Sequence, residues 1–196
     1  MSDEKTDVYL CSKSPRRQEL LTQIGVSFEV LDADVDESLR ANESPQQYVS
    51  RLAQEKAVAG WEHPSRVLNI PVLGADTIVV SSGQILGKPA NKEHALQMLT
   101  AQSGKTQQVL TAISLIKGKD VAKSISISKV TFREISASEL DAYWRSGESA
   151  DKAGGWAIQG KAAIFIEKIE GSYSGVMGLP LYETAKCLKS FGIDFI

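Results

Sequence analysis

The sequence predicts an α/β fold: a mixed, partly antiparallel sheet flanked by helices, in two lobes around a central cleft. Short apolar runs alternate with amphipathic segments along all 196 residues, which is the pattern of strands and helices packed on one sheet. Residues 72–80 turn at Ser81-Ser82-Gly83 and return through Ile85-Leu86. That return predicts a hairpin, so part of the sheet must be antiparallel.

The chain begins with a strand, a helix and a second strand. Residues 8–11 form a short apolar run, as expected of a buried strand. Ser14 followed by Pro15 is typical of a helix start, and Gly25 ends the apolar stripe that follows. A second strand is expected at residues 27–31, before an acidic loop at residues 32–37.

Two helices are expected on either side of the hairpin. Ser44 and Gln47 have the spacing of a capping box, which opens a helix running to about Gly60. Asn91 starts the second helix, which ends near Gly104.

The second half of the chain predicts three strands and two helices. Residues 109–116 and 121–133 are expected to form two long strands, and alternation of serine with isoleucine in the second predicts that one of its faces is solvated. A second capping box at Ser136 opens a helix. Residues 162–169 are expected to form the last strand and residues 181–189 the last helix.

Composition narrows the class of protein. Lys and Arg number 22 against 24 Asp and Glu, a net charge of −2, and this argues against a nucleic-acid binder. No apolar run approaches the ~20 residues that span a bilayer, and residues 1–7 lack the features of a secretory signal. We expect one cytoplasmic domain over residues 1–196, with residues 1–7 as a polar extension.

Cysteine and histidine are scarce. Cys11 and Cys187 lie near opposite ends of the chain, outside any metal-binding motif, and are expected to be reduced, buried thiols. His63 and His94 are isolated in the sequence, so a histidine-based zinc site is not expected.

The first candidate site covers residues 12–17, Ser-Lys-Ser-Pro-Arg-Arg, between a strand and a helix. A helix N-terminus carries about half a positive charge. Arg16 and Arg17 in the first turn would repel it unless an anion lies between them, and phosphate is the natural candidate. The alternative is a serine cap, Ser14, with two solvated arginines.

The second candidate site centres on Asp76, which interrupts an apolar strand. A desolvated carboxylate there suits a catalytic base or a metal ligand, or else it caps a neighbouring loop. Lys56 falls on the apolar face of its helix and either snorkels to solvent or points toward Asp76. Lys88 follows the hairpin and could approach the same place. Glu37 either supplies a metal-binding oxygen or is a solvated loop charge.

The glycine-rich segment 154–160 is a weaker candidate. Its paired glycines allow close backbone approach, and Gln159 offers both a donor and an acceptor, which suits the edge of a base. Trp156 is interpreted as a packing residue rather than a stacking platform.

These segments together resemble the Maf family of nucleoside triphosphate pyrophosphatases, from about Val8 to Phe191. The resemblance rests on the order and spacing of several short motifs, and the chain departs from the family pattern at Cys11 and at Gly155-Trp156. The matching motifs are Ser12 to Arg17, Asp36-Glu37, Glu55-Lys56-Ala57, Gly74 to Thr77, Gly87-Lys88-Pro89, Asp151 to Gly154, Ile158-Gln159-Gly160 and Val176 to Pro180.

The resemblance implies an ITPase-like fold, a homodimer, and hydrolysis between the α- and β-phosphates of a nucleotide with a divalent metal such as Mg²⁺ or Mn²⁺. It implies that Asp76 is the proton acceptor and, with Glu37, a metal ligand. Lys56 and Lys88 would act in catalysis. The phosphates would be held by Ser12, Ser14, Arg17, Lys56 and Lys88.

Substrate choice is implied by three positions. Arg16, Thr77 and Gln159 match those that separate the branch acting on dTTP and UTP from the branch acting on 7-methyl-GTP, and all three have the residue type of the first branch. We therefore expect a dTTP/UTP pyrophosphatase that cleans the nucleotide pool, modified pyrimidine analogues included, with a link to cell-division arrest. The alternatives are a non-catalytic nucleotide-binding regulator of septum formation and a pyrophosphatase that prefers 7-methyl-GTP. No nucleic-acid or membrane partner is expected.

Overall fold

A computed structural model describes residues 6–196 of the chain; most of the predicted extension at residues 1–7 lies outside this range. Within it, the strands and helices alternate as predicted. The strands are β1 (Val8–Cys11), β2 (Phe28–Leu31), β3 (Val72–Ser81), β4 (Gln84–Leu86), β5 (Thr106–Lys117), β6 (Asp120–Phe132) and β7 (Ile166–Glu170). The helices are α1 (Pro15–Gln23), α2 (Pro45–Trp61), α3 (Lys92–Gln102), α4 (Ala137–Arg145), α5 (Tyr173–Met177) and α6 (Leu181–Ser190).

The described strands form one mixed sheet in the order β2-β1-β3-β5-β6-β7, with β4 paired to β3. β1 runs parallel to both β2 and β3, with Val8 opposite Phe28 and Tyr9 opposite Val72. β4 is antiparallel to β3, as the hairpin predicted, and β7 is antiparallel to β6. The predicted α/β class with a partly antiparallel sheet is therefore confirmed.

The helix starts follow the sequence signals. The hydroxyls of Ser44 and Ser136 each accept a hydrogen bond from the backbone N–H three residues on, completing the two predicted capping boxes. The side chain of Asn91 accepts from His94 N in the same way. Ser14 occupies the N-cap of α1, but its side chain makes no capping hydrogen bond.

One prediction about the second half of the chain is wrong. Residues 162–169 are not a continuous strand, because residues 161–165 form a 3₁₀ helix and β7 begins only at Ile166. One face of β6 is exposed, as predicted, and it is the face of Ile127, whereas Ser126 and Ser128 are buried on the other face. The Ser128 hydroxyl is satisfied there by accepting a 2.9 Å hydrogen bond from Ser172 N, so a buried serine face carries no unpaired hydroxyl at that position.

The contacts divide the chain into two compact units. The first runs to Asp76 and continues in Thr111–Ser126 and Gly178–Ile196, and the second comprises Thr77–Leu110 and Ile127–Met177. Both predicted thiols, Cys11 and Cys187, are free and buried. None of the described helices is long and apolar enough to cross a bilayer.

Each unit has its own apolar core. In the first, Tyr9, Cys11, Leu31 and Val72 pack together, and the Tyr9 hydroxyl accepts hydrogen bonds from the backbone of residues 67 and 68. The core of the second unit includes Val79, Leu99, Val109, Phe132 and Trp156.

Candidate active site

An ion pair between Lys56 and Asp76 lies at the centre of the predicted site. Lys56 belongs to α2 and Asp76 to β3, and Lys56 Nζ lies 2.7 Å from Asp76 Oδ1. Gly74 makes this approach possible: a Cβ at this position would stand 2.3 Å from Ala53 O and 2.4 Å from Ala57 N. α2 therefore lies directly against the backbone of β3 at Ala53 and Ala57, within one helical turn of Lys56 on either side.

Burial sets the protonation behaviour of Asp76, which is only 7% exposed. Loss of solvation raises the pKa of its carboxyl above the ordinary aspartate value, and the positive charges of Lys56 and Arg17 oppose that rise. A carboxylate that is paired with Lys56 in a poorly solvated place is suited to accept a proton.

Glu37 contributes a second carboxylate to the same ammonium. Its Oε1 also lies 2.7 Å from Lys56 Nζ, although the side chain of Glu37 is 60% exposed. Of the two alternatives for Lys56, the structure supports the one in which the amine points toward Asp76. Glu37 is not a freely solvated loop charge.

The Ser12–Arg17 segment connects β1 to α1 and fixes one of its arginines. Arg17 is buried; its Nε donates to Gly178 O at 2.8 Å and its Nη1 donates to Ser12 Oγ at 2.9 Å. Burial lowers the pKa of Arg17, while the negative charges of Asp76 and Glu37 act in the opposite direction. Ser14 N donates to Ser12 Oγ at 3.3 Å.

The N-terminus of α1 keeps the character that the sequence indicated. There is no acidic residue in its first turn, and the Ser14 side chain does not cap it. Arg16 is half-buried in this first turn. Backbone N–H groups at such a helix end, together with a fixed guanidinium, favour an anion.

Two carboxylates could hold a divalent cation. No three His, Cys, Asp or Glu side chains among residues 6–196 converge as a ready-made metal site. Asp76 and Glu37 do converge, because their oxygens reach the same Nζ at 2.7 Å each. Mg²⁺ is commonly bound by one or two carboxylates together with substrate phosphates. The two carboxylates therefore fit a divalent cation whose remaining ligands come from elsewhere.

Three predicted residues lie in the second unit. Thr77 is half-buried in β3, whereas Lys88 and Gln159 are exposed. The backbone before Lys88 is fixed, since Gly154 N donates to Gly87 O at 3.0 Å. This bond joins the loop of Lys88 to the glycine-rich segment that leads to Gln159.

Glu148 fixes the backbone that follows Gln159. Its carboxylate accepts hydrogen bonds from Lys161 N at 2.8 Å, from Ala162 N at 3.3 Å and from the Tyr143 hydroxyl at 2.8 Å. A Cβ at Gly160 would lie 2.2 Å from a Glu148 oxygen. Any larger residue at this position would therefore have to displace the carboxylate of Glu148.

Trp156 is a packing residue, as predicted. It is 5% exposed, its ring meets Phe132 edge-on at 5.0 Å between centroids, and its Nε1 donates to Gln102 Oε1 at 2.9 Å. Gln102 in turn donates from Nε2 to Gly154 O at 2.8 Å. The indole therefore anchors the segment before Gln159 from within the core.

The structure brings five predicted residues together in the first unit: Ser12, Arg17, Glu37, Lys56 and Asp76. Gln102 and Glu148 were not identified from the sequence, because Gln102 binds Gly154 and Trp156, and Glu148 binds Lys161, at separations of 13 to 54 residues. Arg51 was not identified either, although the i,i+4 spacing of Arg51 and Glu55 indicates an ion pair.

Comparison with known proteins gives a consistent family. The model of the family described as "Maf-like protein" matches residues 7–191. The "dTTP/UTP pyrophosphatase" of Alkalilimnicola ehrlichii is 52% identical over 192 residues, which cover 96% of this chain and 94% of that protein. The "dTTP/UTP pyrophosphatase" of Salmonella typhimurium is 50% identical over 186 residues, covering 95% and 93%.

The comparison with solved structures is weaker. The Staphylococcus aureus Ham1 protein gives a TM-score of 0.38 at 14% identity, over 64% of this chain and 71% of that one. The family match and the high sequence identity over nearly the whole length are sufficient to assign the chain to a family. The chain belongs to the Maf-like protein family.

Proposed function

We propose that this chain is a hydrolase of phosphoric anhydrides that converts dTTP and UTP to the monophosphate and pyrophosphate, and so cleans the nucleotide pool. Relatives that are 48–52% identical over nearly their whole length are named dTTP/UTP pyrophosphatases. The observation that carries the proposal is the buried carboxylate of Asp76, held at 2.7 Å by Lys56.

In this proposal Asp76 accepts the proton of the attacking water. Burial raises its pKa, which makes the carboxylate a stronger base than a solvated aspartate. The water attacks the α-phosphorus and the bond to the bridging oxygen breaks, so that pyrophosphate leaves. The proton passes to Asp76 and is then released to solvent.

Cationic and hydroxyl groups hold the phosphates. Ser12, Ser14, Arg16 and Arg17 bind them at the N-terminus of α1, where the dipole of the helix adds to the attraction. Lys56 and Lys88 stabilise the negative charge that develops on the leaving group.

The proposal includes a divalent cation, Mg²⁺ or Mn²⁺, bound by Asp76 and Glu37. When bound, such an ion polarises phosphoryl oxygens as a Lewis acid. The convergence of both carboxylates on Lys56 Nζ supports this assignment. A homodimer and a cytoplasmic location, the first implied by the family resemblance, are part of the same proposal.

Base selection is assigned to Arg16, Thr77 and Gln159. The identity of these residues supports pyrimidine triphosphates over 7-methyl-GTP. For Gln159, the support includes a backbone fixed on both sides, by Trp156 before it and by Glu148 after it. A fixed backbone lets the amide of Gln159 discriminate between the donors and acceptors of a base edge.

The test measures pyrophosphate release from dTTP, UTP, 7-methyl-GTP and ATP with Mg²⁺. We expect turnover of dTTP and UTP, and a decrease of about 10²- to 10⁴-fold in Asp76→Asn. Asp141→Asn, a change in an exposed ion pair on α4, is the matched control and should retain activity. Unchanged turnover in Asp76→Asn refutes the catalytic assignment.

The other outcomes separate the alternatives. Turnover of 7-methyl-GTP alone overturns the assignment of Arg16, Thr77 and Gln159 while leaving the reaction type intact. Nucleotide binding without any pyrophosphate release would support the regulatory alternative.

A further inference from the structure

The loop that carries Glu37 has no regular secondary structure of its own. Residues 32–40 belong to neither a strand nor a helix, and Glu37 itself is exposed. Its carboxylate nevertheless lies 2.7 Å from Lys56 Nζ. Holding an exposed glutamate in one place costs conformational entropy, so other groups must fix the loop.

Two side chains of α2 bind three successive backbone carbonyls of this loop. The Tyr48 hydroxyl donates to Glu37 O at 2.7 Å. Arg51 Nη2 donates to Ser38 O at 3.0 Å, and Arg51 Nη1 approaches Asp36 O at 3.5 Å. The peptide units on both sides of Glu37 are therefore attached to the helix that also carries Lys56.

Arg51 uses all five of its N–H donors in this arrangement. Besides the two loop carbonyls, Nε and Nη2 donate to the carboxylate of Glu43 at 2.6 and 2.8 Å, and Nη1 donates to Glu55 Oε2 at 3.0 Å. The side chain of Arg51 is 12% exposed and that of Glu43 is 8% exposed. Two carboxylates therefore hold the guanidinium in the orientation in which it binds the loop carbonyls.

Lysine could not replace Arg51 here. An ammonium has three donors around one atom, whereas guanidinium presents five in a planar fork. Arg51→Lys therefore keeps the charge but loses the geometry that spans Asp36 and Ser38.

We propose that Arg51 and Tyr48 are positioning residues that fix the carboxylate of Glu37 beside Lys56 and Asp76, where a divalent cation binds with the nucleotide. The inference rests on the proposed function for its effect on turnover. The geometry of the loop can be tested without that function. Neither residue touches the reacting atoms; both act through Glu37.

A double-mutant cycle separates positioning from general stability. When Glu37 is the wild-type residue, Arg51→Lys should lower kcat/KM about 10- to 100-fold, which is the usual effect of losing a group that orients a metal ligand. In the Glu37→Gln background, the same change should alter kcat/KM by no more than about twofold. Equal effects in both backgrounds would show that Arg51 does not act through Glu37.

Two further readouts do not depend on turnover. Amide hydrogen exchange across residues 34–40 should be faster in Arg51→Lys and in Tyr48→Phe than in the wild type. Calorimetric titration with Mn²⁺ alone should show an affinity about 10- to 100-fold weaker in Arg51→Lys. Unchanged exchange and unchanged Mn²⁺ affinity in both variants would overturn the inference.

Arg66→Lys is the matched control. Arg66 also donates to backbone carbonyls, to Trp61 O at 2.6 Å and to Leu68 O at 3.1 Å, but these belong to the last residue of α2 and to the loop after it. Arg66→Lys should leave amide hydrogen exchange at residues 34–40, Mn²⁺ affinity and kcat/KM unchanged. Should Arg51→Lys fail to fold, Tyr48→Phe decides, with smaller effects of the same sign expected.

Failure of the two proposals can be distinguished. Absence of dTTP turnover in the wild type, combined with faster loop exchange and weaker Mn²⁺ binding in Arg51→Lys, refutes the proposed function and supports the positioning role. Normal dTTP turnover in the wild type, combined with equal effects of Arg51→Lys in both backgrounds of the double-mutant cycle, supports the proposed function and refutes the positioning role.

Discussion

Lys56 Nζ lies 2.7 Å from Asp76 Oδ1 and also 2.7 Å from Glu37 Oε1. The two carboxylates differ in solvation, because the side chain of Asp76 is 10% exposed and that of Glu37 is 60% exposed. Water screens the charge of Glu37 much more than that of Asp76. Asp76 is therefore the group whose ionisation depends on Lys56.

Removing the ammonium should destabilise the fold in a pH-dependent way. Lys56→Met leaves the buried charge of Asp76 without its nearest partner, a loss of order 3 kcal/mol at pH 8. Lys56 lowers the pKa of Asp76 against the effect of burial, so its removal raises that pKa further. Protonated Asp76 needs no counter-charge, and the loss should therefore be smaller at pH 5. Urea unfolding at both pH values measures the difference.

Lys92→Met is the control for this prediction. Lys92 pairs with Asp141 at 2.6 Å, but the two side chains are 51% and 33% exposed. An exposed pair contributes about 0–1 kcal/mol, so this variant should unfold nearly as the wild type does. An equal loss at pH 5 and pH 8 in Lys56→Met would contradict the assigned coupling.

Gly74→Ala should separate α2 from β3. The added methyl group would meet backbone atoms, Ala53 O at 2.3 Å and Ala57 N at 2.4 Å, which cannot rotate away. Overpacking of this kind costs about 1–3 kcal/mol, and the helix must shift near Lys56. We expect a lower midpoint of thermal unfolding and a decrease in kcat for dTTP in the fraction that remains folded.

Gly60→Ala tests whether the effect on kcat is specific. Gly60 lies in the last turn of α2, and its added Cβ would meet the side chains of Val72 at 2.7 Å and Cys11 at 2.9 Å. This variant should also be destabilised, but with kcat closer to the wild-type value. A kcat in Gly74→Ala equal to that of the wild type would refute the link between this contact and the ion pair.

Local signals in the sequence predicted much of this arrangement. The capping residues Ser44, Asn91 and Ser136 each occupy the predicted position, because a helix start is decided by hydrogen bonds within three residues. Asp76 and Lys56 were also identifiable, since each is a charge in an apolar pattern. A charge out of place is visible without knowledge of the fold.

Interactions that depend on the tertiary structure were not predictable. The alternation in β6 predicted one solvated face but did not say which, because burial depends on what packs against each face, and Ser128 meets the backbone of Ser172. Residues 162–169 have the apolar content of a strand, yet Glu148 binds the N–H groups of Lys161 and Ala162 and favours a 3₁₀ turn there. The local sequence pattern of these segments identifies neither Ser172 nor Glu148 as a partner.

Gln102 should be essential to the core of the second unit. Its side chain is fully buried and connects Trp156 Nε1 to Gly154 O through hydrogen bonds of 2.9 and 2.8 Å. Gln102→Leu leaves both groups unpaired, at about 1–3 kcal/mol each. We expect a loss of at least about 2 kcal/mol in urea unfolding, followed through tryptophan fluorescence.

The pairing with the indole can be isolated in a double variant. Trp156→Phe removes the N–H that Gln102→Leu would leave unsatisfied. The two substitutions together should therefore cost less than the sum of their separate effects. Strict additivity would mean that the 2.9 Å contact contributes nothing measurable to stability.

Glu43 should make the stability of the first unit depend on pH in the acid range. Hydrogen bonds from Arg51 lower the pKa of Glu43 from 4.5 to about 2. A carboxyl whose pKa is lower in the folded state stabilises the fold fully at any pH above its pKa in the unfolded state. This contribution is lost as the pH falls from about 4.5 toward 2. The difference in unfolding free energy between the wild type and Glu43→Gln should therefore shrink across that interval, as measured by urea unfolding at pH 2.5, 3.5, 4.5 and 6. A difference in unfolding free energy that stays constant from pH 6 to pH 2.5 would contradict this prediction. Protonated Glu43 would then stabilise the fold relative to glutamine as much as charged Glu43 does, and the ion pair with Arg51 would not control this titration.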